Sequence, residues 1–200
     1  MKKRNFTLVE LLAVTALIVI LAGIGFAAFS YASNRGKEAA TKSLITRIAA
    51  GLESVRTKHG SFPGNNDYKD IRVKVNSSTG LIESISFDGG TTDHLGTNSK
   101  QLKTFLTVCD GESLKKNLTL DSGSYYFITD SWGGRIKYRC PGKINTVKFD
   151  LVAPGPDEGF GTDAKDGKVP SGGTEANMPA ALSGYRTSGE WACDDIANFN

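Results

Sequence analysis

From Leu11 to Ala32 the chain carries no charged side chain, and Thr15 and Ser30 are its only strongly polar interruptions. An α-helix rises about 1.5 Å per residue, so this run extends roughly 33 Å, enough for a hydrocarbon core of about 30 Å. Lys2, Lys3 and Arg4 stand before it, which predicts a cytoplasmic N-terminus and export of everything that follows. A cleaved signal peptide fits poorly. The run exceeds the usual apolar core of about 7–15 residues, and Ala28-Phe29-Ser30 and Ala32-Ser33-Asn34 are poor cleavage sites.

Glu10 lies at the edge of this run. A carboxylate inside an apolar helix costs some 2.5–3.5 kcal/mol or more at the membrane centre. Near one end it reaches the headgroups; deeper, it calls for a cation, and a free amine on Phe6, created by cleavage after Asn5, would serve. Phe6-Thr7-Leu8-Val9-Glu10-Leu11-Leu12 after a short basic leader resembles the N-terminal signal of type IV pilins and type II secretion pseudopilins. The resemblance implies a prepilin peptidase that cuts before Phe6 and methylates its new amine. It also implies that Glu10 pairs with such an amine of a neighbouring subunit during assembly. The family has Gly before the cut where this chain has Asn5.

The helical pattern continues past the apolar run. Leu44, Ile45, Ile48, Leu52 and Val55 recur at spacings of three and four, one apolar stripe on a helix. Gly36 and Gly51 each weaken it by about 1 kcal/mol relative to Ala and are candidate bends. His59-Gly60 and Pro63 end it. A single helix from Phe6 to about Lys58 would be roughly 80 Å long. Its second half needs a globular domain over the Leu44–Val55 face.

Lys58-His59-Gly60-Ser61-Phe62-Pro63-Gly64 resembles the turn that closes the long helix in the major pseudopilins. Residues 64–100 read as a variable polar loop region with one short strand near Leu81–Phe87. Gln101–Val108 reads as a short helix and Glu112–Leu120 as a turn or strand. Ser124–Thr129, Arg135–Arg139 and Val147–Ala153 read as strands, with turns at Asp130-Ser131-Trp132-Gly133-Gly134 and Pro141-Gly142. These predict an antiparallel meander on the helix. Asp130, Trp132, Gly133, Ile136, Tyr138, Pro141 and Gly142, then Phe149, Leu151, Gly155 and Asp157, follow an order that resembles the C-terminal region of the major pseudopilins. Ser131 departs from the family's Pro. Asp194-Asp195-Ile196-Ala197-Asn198-Phe199 resembles the family's ending, with departures at Ala197 and Phe199. Trp132 reads as a packing residue of the core.

The resemblance implies a calcium ion tying the last loop to the strand region, held here by Asp157, by Asp194 or Asp195, and by the carbonyl of Leu151. Calcium takes six to eight hard oxygens of this kind. The plainer reading makes these solvated turn aspartates. Asp163 and Asp166 are a competing set without the closing Glu of a calcium-binding helix–loop–helix.

The formal charge of +3 comes from Lys2, Lys3 and Arg4. Without residues 1–5, Lys+Arg falls from 24 to 21 and equals Asp+Glu at 21. No basic stripe suited to nucleic acid is present in the sequence. Cys109, Cys140 and Cys193 leave two readings open: one disulfide and one free thiol in an exported domain, or three thiols. The two histidines, His59 and His94, join no catalytic or zinc motif, and an enzyme is not expected.

The sequence thus predicts an α+β protein of pilin-like fold: a leader at 1–5, a transmembrane half-helix at 6–32, an amphipathic half at 33–60, and a periplasmic domain at 61–200 with an inserted Gly-rich loop at 158–193. The expected function is that of a pseudopilin, a filament subunit of type II secretion. Its partners would be sister copies in a helical filament, other pseudopilins, prepilin peptidase and an inner-membrane assembly platform. A type IV pilin for adhesion, motility or DNA uptake, and an anchored binding module that never polymerises, are the rival readings.

Overall fold

The computed structural model describes residues 8–90, 92–142, 145–157 and 196–198. The chain divides into two compact units, Met1–Lys37 and Glu38–Asn200. One helix, α1 (Leu8–His59), contributes residues to both.

In the first unit every described side chain from Leu8 to Gly23 is exposed. Leu8 is 77% and Val19 70% accessible. Thr15 turns its hydroxyl back onto the Leu12 carbonyl at 3.0 Å, which hides its polarity within the helix. Among the described residues no helix is long and apolar enough to cross a membrane. Described apolar side chains run from Leu8 to Leu21 and resume at Phe29.

The second unit is α+β. Leu44, Ile45, Ile48, Leu52 and Val55 of α1 are all buried, as their helical spacing requires. Gly51 has a packing role: a Cβ there would lie 2.8 Å from the ring of Phe105. Only a bare backbone admits that ring, which belongs to α2 (Lys100–Cys109). Gly60, at φ 92°, ends α1 with its N–H on the Arg56 carbonyl at 2.7 Å, the left-handed stop that glycine adopts without strain.

Among the described residues eight strands follow: β1 (Asn65–Asp70), β2 (Arg72–Val75), β3 (Ile82–Ser86), β4 (Leu118–Ser122), β5 (Tyr125–Ile128), β6 (Lys137–Cys140), β7 (Asp150–Ala153) and β8 (Ile196–Ala197). They form two antiparallel four-stranded sheets, ordered β1-β6-β7-β8 and β3-β2-β5-β4. Fully buried Ile71, Ile128 and Ile136 join the sheets. Ile128 N–H donates to Ile71 O at 3.1 Å, and Ile136 N–H to Ile128 O at 3.0 Å. This is no simple meander, because β1 and β2 leave one sheet for the other at Ile71.

The expectation of one strand between 64 and 100 is corrected to three. The polar run Asn65-Asn66-Asp67-Tyr68-Lys69-Asp70 forms β1 because it lies at a sheet edge, paired with β6. Only Tyr68 among its described side chains is buried. Residues 112–120 resolve into a short helix, α3 (Gly111–Lys115), and β4. The strand expected from Val147 begins at Asp150, and Val147 is exposed.

Candidate functional site

The sequence singled out three places: the start of α1, the loop after β5, and the end of β7. Asn5 and Phe6 lie outside the described residues. Glu10 stands exposed in the first turn of α1, where a negative charge complements the helix dipole.

The loop after β5 is organised by Asp130, which is 4% exposed. Its Oδ1 accepts the N–H groups of Trp132 at 2.9 Å and Gly134 at 2.8 Å. Its Oδ2 accepts that of Gly155 at 3.0 Å. Burial pushes its carboxyl above the ordinary range, against the opposing pull of these N–H donors. Gly133 takes φ 99°. A Cβ on Gly134 would meet Pro154 at 2.2 Å, so the loop closes on the end of β7 only with glycine there. Ser131 fastens the loop to α1: its N–H donates to Thr41 Oγ1 at 3.2 Å, and Thr41 Oγ1 donates to Ser131 Oγ at 3.1 Å. Trp132 is partly buried against the core. The Asp130–Gly133 motif therefore tethers α1 to β7.

The turn after α1 meets the same sheet. Tyr138, fully buried, donates its hydroxyl to the Pro63 carbonyl at 2.7 Å. Phe62 packs edge-on against Phe149 at 4.9 Å. Pro141 follows a cis peptide bond. Gly142 is buried where a Cβ would lie 2.5 Å from Asp150 Oδ1.

Asp150 escaped sequence reading. It is fully buried in β7, accepting the Tyr68 hydroxyl at 2.7 Å and the Asn145 N–H at 2.9 Å. Burial, then the Asp150 carboxylate, push the Tyr68 phenol well above its usual range. The only sequence signal was a carboxylate inside the strand-like run Val147–Ala153.

No ligand set for calcium is assembled by the described residues alone, and they contain no group of three or more His, Cys, Asp or Glu side chains placed to hold a metal. Asp194 and Asp195 lie outside them, as does the side chain of Asp157, whose backbone closes the 3-10 turn Gly155–Asp157. The Leu151 carbonyl accepts the Asn198 N–H at 3.1 Å. Asn198 also takes the Leu151 N–H on Oδ1 at 2.7 Å and donates Nδ2 to the Phe149 carbonyl at 3.2 Å. β8 thus sets Ile196 opposite Ala153.

Compared with protein-family models, curated proteins and solved structures, the chain shows no match.

Cys109 and Cys140 are free thiols, and Cys193 lies outside the described residues. Burial pushes the Cys109 thiol up to about 11, which leaves it unreactive near neutral pH. His59 in the last turn of α1 approaches Thr104 Oγ1 at 3.5 Å.

Proposed function

We propose that this chain is a pseudopilin: a structural subunit that enters the inner membrane, is cut after Asn5 and N-methylated on Phe6, and polymerises with sister copies to drive protein export by a type II secretion system. The observation that carries this reading is the exposure of Leu8–Leu21 on a helix whose later residues, Leu44–Val55, are buried in an α+β domain. Such a helix start needs lipid or other helices around it, and Glu10 on the same stretch would register one copy against the next. The pilin-like fold belongs to this proposal. So does calcium, which Asp157, Asp194 or Asp195, and the Leu151 carbonyl would hold, fastening a Gly-rich loop that buries little apolar surface.

The mature N-terminus tests the reading. Protein extracted from membranes of the native host should begin with N-methylated Phe6 by mass spectrometry. A chain that retains Lys2–Asn5 would lack the amine proposed to pair with Glu10 and would end the filament reading.

A further inference from the structure

A cleft of about 550 Å³ opens in the second unit between the β2–β3 turn and the α2–α3 corner. Leu81, Ile82, Leu102 and Leu106 give it an aliphatic lining, and Leu81 is 58% exposed. That volume and lining fall in the range of ligand sites.

Both walls are fixed by the fold itself. In the turn, Asn76 Oδ1 accepts the N–H groups of Ser78 at 2.9 Å and Thr79 at 3.0 Å, and the Asn76 N–H donates to the Leu81 carbonyl at 2.9 Å. Across the cleft, the Ser99 hydroxyl caps α2 by accepting the Leu102 N–H at 3.0 Å. Asn98 and Asp110 flank α2 with φ 61° and 59°, the only non-glycine residues in the left-handed region among the described ones. Both line the cleft.

Lys103, Leu106 and Asp110 follow one another at i, i+3 and i+7, a row along one face of a helix. Seven residues of helix rise about 10 Å. The row therefore runs from a cation, past an aliphatic side chain, to an anion. The other charges of the lining are already matched. Glu83 meets Lys74 at 3.1 Å and the Asn76 amide at 2.6 Å, and Glu112 meets Lys115 at 2.7 Å. Among the described residues, no carboxylate pairs with the Lys103 ammonium and no cation with the Asp110 carboxylate, which accepts the Ser113 N–H at 3.5 Å.

We propose that this cleft binds an extended peptide that carries an acid, an aliphatic residue and a base at alternate positions. Alternate side chains of an extended chain point to one side, so the three face the row together. The acid meets Lys103, the aliphatic side chain enters beside Leu81 and Leu106, and the base meets Asp110. Four steps of extended chain span about 13 Å, slightly more than the row, and the long basic side chain takes up the difference. Thr97 and Asn98, also in the lining, offer donors and acceptors to the peptide backbone. A polyanion fits poorly, because it would meet Asp110 as well as Lys103. None of these residues belongs to α1, so the site does not depend on whether the chain polymerises.

The test is a methyl NMR titration of the full-length chain in lipid nanodiscs with the capped peptide acetyl-Asp-Ser-Leu-Ser-Lys-amide. The methyls of Leu81, Ile82, Leu102 and Leu106 should shift saturably, with a Kd on the order of 0.1–1 mM for so small a contact. Serine in place of the peptide's leucine should abolish the shifts. Lys103→Glu changes an exposed side chain. It should weaken binding roughly fivefold and should bind acetyl-Lys-Ser-Leu-Ser-Lys-amide more tightly than the wild type does. Methyls that stay still up to about 10 mM peptide, well past that range, overturn the proposal. So does equal binding of the serine peptide, and so does a folded Lys103→Glu protein that keeps the wild-type preference between the two charged peptides.

Discussion

Asp130 shows how a single carboxylate can organise a turn and still oppose the fold at neutral pH. Three backbone N–H groups point at its two oxygens, yet burial raises its pKa. The folded state therefore binds the proton more tightly than the unfolded chain does. As pH falls from neutral through the folded pKa, this group's contribution to stability improves, and it levels off below the unfolded value. That is the reverse of a salt-bridged carboxylate. Asp130→Asn keeps one acceptor but replaces the other oxygen with an amide that faces the Gly155 N–H. The variant should lose about 1–3 kcal/mol at pH 7, the penalty of unsatisfied buried donors, measured by urea denaturation. The loss should grow as pH falls toward the acid range, because protonation of Asp130 stabilises the wild-type fold and the variant has no such group. Equal losses at neutral and acid pH would show that the charge does not matter.

Among the elements, α1 was the most legible, because a stripe at helical spacing identifies a buried face without knowledge of its partner. Leu44, Ile45, Ile48, Leu52 and Val55 are buried as that pattern demands. α2 and β5 were visible for similar reasons. β1 was not: an edge strand is fixed by hydrogen bonding to β6, which leaves its side chains free to be polar. Pairing partners across the two sheets depend on contacts distant in sequence, and no local pattern encodes them. At the candidate site, the Asp130-x-Trp132-Gly133 and Phe62-Pro63 motifs were readable. Thr41, Asp150 and Asn198 were not, since a lone polar residue announces its partner only once the chain has folded. Gly51 was readable as a glycine but not as a contact. Gly51→Ala should gain about 1 kcal/mol in helix propensity and lose about 1–3 kcal/mol by overpacking against Phe105. A net decrease in thermal stability of the purified chain is expected, recovered in part by adding Phe105→Leu. A stabilised Gly51→Ala protein would mean that the α1–α2 contact yields easily.

Across the whole molecule the two units differ in what they bury. The second has its own core of α1, α2 and sheet side chains. The first exposes ten large apolar side chains between Leu8 and Leu21, on the order of 20 kcal/mol of transfer free energy left unused in water. Lipid alone could cover them, and so could a bundle of sister helices; Glu10 distinguishes the two. For a chain that only needs an anchor, a carboxylate on this stretch brings at most a helix-dipole contribution of about 0.3–1 kcal/mol, against a larger cost if it enters the hydrocarbon. For a subunit that stacks on copies of itself, the same carboxylate can pair with the Phe6 amine of a neighbour and fix the axial register. Glu10→Gln separates the accounts because it preserves shape and hydrogen bonding while removing charge. In the filament reading it should fail, with sheared filament yield falling at least roughly tenfold, as expected for loss of an ion pair in low dielectric worth more than about 1.4 kcal/mol. Membrane insertion and the melting temperature of the globular unit should stay at wild-type values, because Glu10 lies outside that unit's core. Filaments assembled normally from Glu10→Gln subunits would leave the helix dipole as sufficient explanation and would remove Glu10 from the assembly mechanism.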